Sequence, residues 1–146
     1  MSAVHADDPA QPEIAFSNRQ AAPVDEEALA RLAEATLVAE GAVDAELSVS
    51  FVEPDEMADL HRRYMDEEGP TDVLSFPMDE RIDGRRILGD VVICPQFARG
   101  NNPDLDAEIR LLLVHGILHL LGYDHEEDEE RAEMWARQER YSGVKA

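Results

Sequence analysis

Apolar residues recur along this chain in two rhythms, and each change of rhythm marks a new element. A weak two-residue alternation from Glu13 to Asn18 predicts a first strand. From Asp25 the period lengthens. Ala28, Leu29, Leu32, Ala33, Ala35, Thr36 and Ala39 keep helical spacing, and Gly41 supplies the stop. Glu46 to Val52 alternates again, with Leu47, Val49 and Phe51 apolar, as a half-buried strand does. Glu53-Pro54-Asp55 closes that strand and opens a helix in which Met57, Leu60, His61 and Tyr64 recur. Asp66 to Pro70 reads as a loop, and Val73 to Phe76 as a short strand halted by Pro77. Asp83-Gly84 is a hairpin turn, and Arg86 to Cys94 the returning strand. Asn101 to Asp104 leads into a long apolar helix, Leu105 to Leu121, ended by Gly122. A last helix, Glu127 to Tyr141, is charged on one side and carries Met134 and Trp135 for core packing on the other.

Four strands with helices between and after them predict an α+β fold: one domain, residues 13–146, with a small mixed four-stranded sheet packed with helices. Residues 1–12, rich in Ala, Asp and Pro, read as a disordered tail. The length of 146 residues suits a core that needs no staple, so a bound metal would serve chemistry rather than rescue the fold. Cys94 is the only cysteine; it lies in an apolar run, reads as a buried small hydrophobe, and fits a reducing cytoplasm. The first residues have neither the basic start nor the apolar stretch of a signal peptide. The longest apolar run, Leu111 to Leu121, is too short to span a bilayer. These features predict a soluble, cytoplasmic chain with no membrane partner.

The chemistry concentrates in His115-Gly116-Ile117-Leu118-His119-Leu120-Leu121-Gly122-Tyr123-Asp124-His125. Residues four apart share a helix face, so His115 and His119 can aim their rings at one point. Gly122 ends the helix by taking a left-handed backbone, and the chain can then carry His125 back to the pair. A lone histidine on an apolar helix is most often a core residue with a satisfied hydrogen bond. Here three of five histidines fall within eleven residues, and burying two of them without partners would be costly. Three imidazoles that leave a fourth tetrahedral position open are the donor set of a catalytic zinc, one ion per chain. The spacing also matches the zinc-peptidase pattern H-E-x-x-H-x-x-G-x-x-H, but Gly116 stands where the general-base Glu belongs, which disfavours peptide hydrolysis. His5 falls in the tail, and His61, beside Arg62 and Arg63, reads as a surface residue.

The histidine stretch resembles the H-G-x-L-H-L-x-G-Y-D-H signature of the YbeY family of bacterial, metal-dependent endoribonucleases and rRNA maturation factors. Pro70-Thr71-Asp72-Val73-Leu74-Ser75-Phe76-Pro77 and Leu88-Gly89-Asp90-Val91-Val92-Ile93 resemble its second and third signatures, in order, and the likeness spans roughly Phe51 to Trp135. The resemblance implies a zinc site at the end of a cleft, with His115, His119 and His125 as ligands. It further implies single-strand-specific RNA hydrolysis in late 16S rRNA 3′-end maturation and ribosome quality control, with an rRNA precursor as substrate and the small ribosomal subunit or assembly proteins as partners. One departure stands out: many members carry Arg after the aromatic residue that precedes the second signature, whereas Tyr64 is followed here by Met65.

A zinc ion held by three neutral histidines keeps its charge, brings the pKa of a bound water to about 7 and polarises a phosphoryl oxygen, which suits phosphodiester hydrolysis. Asp124 is the one candidate for a catalytic proton acceptor; it serves equally well as a group orienting a ligand ring or as a plain turn residue. Asp72 and Asp90 either line the cleft or cap a turn. The acidic run Glu126 to Glu130 reads as a solvated helix start. Two other readings remain open at this stage: an assembly factor whose zinc is structural, and a zinc hydrolase of another substrate.

Charge complicates any RNA reading. Asp and Glu number 33 against 13 Lys and Arg, a formal net charge of −20. The candidate RNA contacts are Arg62 and Arg63 on the second helix and Arg85 and Arg86, with Arg81, around the hairpin. They either line one side of the cleft or balance neighbouring carboxylates. Because phosphate neutralisation dominates affinity for RNA, the chain is expected to bind naked RNA weakly, with an affinity that falls steeply with salt. A binding titration across salt concentrations checks this, and tight binding indifferent to salt contradicts it.

Overall fold

The computed structural model describes residues 11–65, 69, 71–123 and 127–144. The chain runs β1 (Glu13–Arg19), α1 (Glu26–Ala39), β2 (Ala45–Val52), α2 (Pro54–Met65), β3 (Val73–Ile82), β4 (Arg85–Ile93), a short α3 (Pro95–Ala98), α4 (Leu105–Leu120) and α5 (Asp128–Ser142). The four strands form one sheet in the order β1-β2-β4-β3. β1 and β4 pair parallel to β2, and β3 pairs antiparallel to β4, so the sheet is mixed as expected.

The period-two alternation sorts side chains between the faces. Leu47, Val49 and Phe51 of β2 join Leu88, Val91 and Ile93 of β4 on one face, against Leu29, Ala33 and Leu37 of α1 and Leu113 and Ile117 of α4. Each large aliphatic side chain fully buried there contributes roughly 1.5–3 kcal/mol. Val52, Leu74, Val92 and Cys94 point to the other face, where Met57 of α2 covers them in a smaller cluster. The buried Cys94 agrees with its apolar surroundings in the sequence. Aspartates cap two helices: Asp25 accepts from the Ala28 N–H and Asp104 from the Ala107 N–H, each at 3.1 Å. No helix among the described residues is long and apolar enough to cross a membrane.

Three sequence expectations need correction. β3 does not stop at Pro77 but continues to Ile82. It is an edge strand, with one side unpaired, so a residue lacking an N–H need not remove a ladder bond. The ladder does become irregular between Pro77 and Glu80. Trp135 is not core: adjacent helix residues diverge by about 100°, so Met134 is fully buried while Trp135 is 47% exposed. Gln11 and Pro12, assigned to the tail, belong to the folded unit: Pro12 is buried and the Gln11 carbonyl accepts from Arg85 at 2.9 Å. The short α3 has no counterpart in the sequence reading. The rest of the expected tail, residues 1–10, lies outside the described residues, as does most of the expected loop from Asp66 to Pro70.

Gly89 has a tightly constrained backbone. Glu46 pairs with Ile87 but Leu47 pairs with Gly89, so Leu88 is an extra residue in β4 and is pressed fully into the core. The bulge leaves Gly89 at φ +140°, and a Cβ there would lie 2.2 Å from the Phe76 carbonyl oxygen. Gly89→Ala is therefore expected to destabilise the fold by about 3 kcal/mol, from strained backbone and overpacking together. Denaturant unfolding measures this, and a loss below about 1 kcal/mol would show that the β3–β4 pair can yield.

Candidate metal centre

Helix α4 carries the candidate ligands. It lies against the sheet because position 116 has no side chain: a Cβ on Gly116 would sit 2.7 Å from Val91 Cγ1 and 3.3 Å from Ser75 Oγ. The residue that disfavours peptidase chemistry is thus also the one that lets helix and sheet meet. His115 and His119 flank the turn containing this contact, and their ring centroids are 4.8 Å apart at an interplanar angle of 75°. Both line a cleft of about 310 Å³ together with Met65, Val73, Leu74, Ser75, Pro77 and Leu120. The walls are mostly apolar, and the Ser75 hydroxyl is a polar group on the β3 side.

The His115 ring is held from behind. Its Nδ1 lies 2.8 Å from Oε1 of Gln138 on α5. An amide oxygen only accepts, so Nδ1 carries the proton and the lone pair of the neutral ring is on Nε2. Gln138 is 4% exposed. Sequence reading missed it, although a signal was available: Gln138 lies one helical turn beyond Met134, which was already assigned to the inward face.

The end of α4 shows how the chain leaves the pair. The Tyr123 N–H donates to the Leu118 carbonyl and the Gly122 N–H to that of His119, both at 3.0 Å, with Gly122 at φ +104°. This is a Schellman arrangement, built on the left-handed Gly122 that the sequence placed at the helix end. Tyr123 packs against Val114, Leu118 and Met134. Its hydroxyl donates to Glu40 at 2.7 Å, and the Arg137 guanidinium lies 5.2 Å from its ring centroid. His125, the third expected ligand, and Asp124, the candidate proton acceptor, lie outside the described residues.

The candidate RNA contacts are dispersed. Arg62 and Arg63 are exposed at the end of α2, and both pair with Asp59, at 2.7 and 3.3 Å. Arg85 donates to the carbonyls of Gln11 and Ala45 and lies 3.5 Å from Glu46. Arg86 pairs with Asp79 at 2.9 Å and Arg81 with Asp44 at 2.6 Å. No Lys or Arg is among the cleft-lining residues described. The continuation of β3 supplies a reason: the strand residues past Pro77 carry the hairpin away from the cleft wall. Asp72 and Asp90 do not line the cleft either. Asp72 accepts from Asn101 at 3.2 Å, and Asp90 faces a groove with Ser50, Phe76 and Tyr64. His61 is half-buried, its Nδ1 2.9 Å from the Gly69 carbonyl.

Glu40 is the polar hub behind the site. It accepts from Tyr123, from Tyr141 and, at 2.6 Å, from Arg137, and its side chain is 6% exposed. Burial pushes its carboxyl up, but the hydrogen bonds from Tyr141, Tyr123 and Arg137 outweigh that and hold it below its ordinary value of 4.5. Burial, with Glu40 beside it, pushes the Tyr123 hydroxyl up to about 12.

A model of the family described as endoribonuclease YbeY matches residues 13–143. A protein of that name from Thermobifida fusca is 52% identical over 137 residues, covering 86% of this chain and 88% of its own length. Another from Nocardia farcinica is 46% identical over 144 residues, covering 87% and 77%. The solution structure of TM1509 from Thermotoga maritima superposes with a TM-score of 0.58 at 31% identity, covering 88% of this chain and 86% of that one.

The hub makes a pH prediction. A carboxyl whose folded-state pKa is depressed stabilises the fold above its unfolded pKa, and that contribution is lost as pH falls through the folded value. Glu40→Gln is expected to lose about 2 kcal/mol at neutral pH and to show a shallower decline in stability below about pH 4.5 than wild type. Unfolding curves across that range measure both effects, and superimposable acid limbs would remove Glu40 from the account.

Proposed function

The chain belongs to the endoribonuclease YbeY family, and on that premise we propose that it is a single-strand-specific, zinc-dependent endoribonuclease of late 16S rRNA 3′-end maturation and ribosome quality control. As a member of that family it is a hydrolase acting on RNA. The observation that carries the finer reading is the convergence of His115 and His119 on one cleft, with the His115 lone pair assigned to Nε2 by its bond to Gln138. Two neutral imidazoles one turn apart fit a borderline divalent cation. His115 and His119 would hold it, with His125 as the third ligand. When bound, such an ion supplies Lewis-acid chemistry, acidifying a water and polarising a phosphoryl oxygen.

The chain's own residues have more limited tasks. Val73, Leu74, Pro77 and Leu120 wall the cleft against bulk water and offer apolar surface to a nucleobase. The Ser75 hydroxyl donates to the Gly116 carbonyl at 3.5 Å, which leaves its oxygen to accept a hydrogen bond from the substrate. Gly116 has no group to take a proton, which leaves that task to Asp124 or to a group on the RNA. With no cation among the described lining residues, the cleft does little to neutralise phosphates. Binding energy then comes from docking on the small ribosomal subunit or an assembly protein, and rRNA within such a particle is cut better than naked RNA.

The purified chain is expected to carry about one zinc, and His119→Ala to lose most of it. A chelator should abolish RNA cleavage, and added zinc should restore it in wild type but not in the variant. Metal analysis beside a cleavage assay measures this. Undiminished cleavage by folded, zinc-free His119→Ala would refute the metal mechanism. A His119→Ala chain that folds and supports rRNA maturation as well as wild type would make the protein chiefly an assembly factor.

A further inference from the structure

The contact behind His115 assigns a role to a residue outside the cleft. We propose that Gln138 is a positioning residue that fixes the tautomer of His115, keeping the proton on Nδ1 so that Nε2 presents the lone pair to a metal cation. The consequence for metal binding rests on the metal centre proposed above; the claim about the tautomer does not.

A neutral imidazole has one N–H, and in water its proton prefers Nε2, the nitrogen that must be bare to ligate from this side of the ring. An acceptor 2.8 Å from Nδ1 reverses that preference. Gln138 is 4% exposed, so bulk water is poorly placed to substitute for it. Its position is secured on both sides. One turn earlier, Met134 is buried against Val114 and Leu118 of α4, and one turn later the Ser142 hydroxyl donates to the Gln138 carbonyl at 2.6 Å. The docking of α5 on α4 therefore sets the ring of His115 as well as covering apolar surface. The amide accepts the proton without adding charge, so this contact leaves the charge of a bound cation undiminished. A carboxylate at the same place would accept the same bond and strengthen the ligand.

The test begins with metal-free wild type, in which long-range proton–nitrogen correlation spectra read the His115 tautomer. A ring protonated on Nδ1 is expected. Gln138→Met keeps the length and apolar packing of the side chain but has no comparable acceptor, and there the Nε2-protonated form should take over. Zinc affinity, read by chelator competition, should fall about 10–100-fold in Gln138→Met and return to at least the wild-type level in Gln138→Glu. A wild-type ring protonated on Nε2 overturns the proposal, as does a Gln138→Met chain that keeps both the Nδ1 tautomer and full affinity. If Gln138→Met does not fold, the wild-type tautomer and the affinity of Gln138→Glu decide the matter. A wild-type chain that binds no zinc refutes the metal centre, and the spectra still decide what Gln138 does.

Discussion

Helix α4 meets the sheet through a glycine, and the rest of the molecule is arranged around that contact. At Gly116 the helix backbone comes so near Val91 that a single methyl group would overlap it. The closeness brings Ile117 and Leu113 into the main core and leaves His115 and His119 lining a cleft whose other wall is β3. A larger residue at 116 would lift the helix and widen that cleft, and the two imidazoles would move with it. Packing density and ligand placement are thus one constraint.

Around this contact the polar groups act as braces. The pair His115–Gln138 ties α4 to α5, while Glu40 ties the end of α1 to Tyr123 past the end of α4 and to Tyr141 and Arg137 on α5. Each brace is largely buried, where a hydrogen bond is stronger and a missing partner more costly than at the surface. Tyr123 belongs both to the Glu40 hub and to the turn that ends α4. Its backbone closes the Schellman turn and its hydroxyl ends on the hub, so the direction in which the chain leaves α4 is fixed by two independent sets of bonds.

Electrostatics divides the surface in a way that bears on the substrate. The described arginines of α2 and the hairpin are bound to neighbouring carboxylates, and the cleft is walled by apolar residues. A polyanion approaching such a chain meets a net repulsive field with few cations to spare. The family is nevertheless one of endoribonucleases. The two facts are reconciled if the substrate is delivered by a larger particle, which is the reading offered above.

Much of the site was legible from local spacing. The period of 3.6 puts His115 and His119 on one face, Gly122 marks where that face ends, and alternation in β2 identifies a half-buried strand; these follow from the geometry of a few adjacent residues. The α+β class emerged in the same way. What spacing could not show were partners chosen at a distance. Gln138 lies 23 residues from His115, Glu40 lies 83 from Tyr123 and 101 from Tyr141, and Asp44 lies 37 from Arg81. The strand through Pro77 is the instructive case. A proline reads as a stop in one dimension, but β3 lies at the sheet edge, where the missing N–H is tolerated, and the longer strand carries the arginines away from the histidines. Local sequence specified which residues face one way along each element; which element lies at an edge, and which carboxylate meets which arginine, depended on how those elements pack.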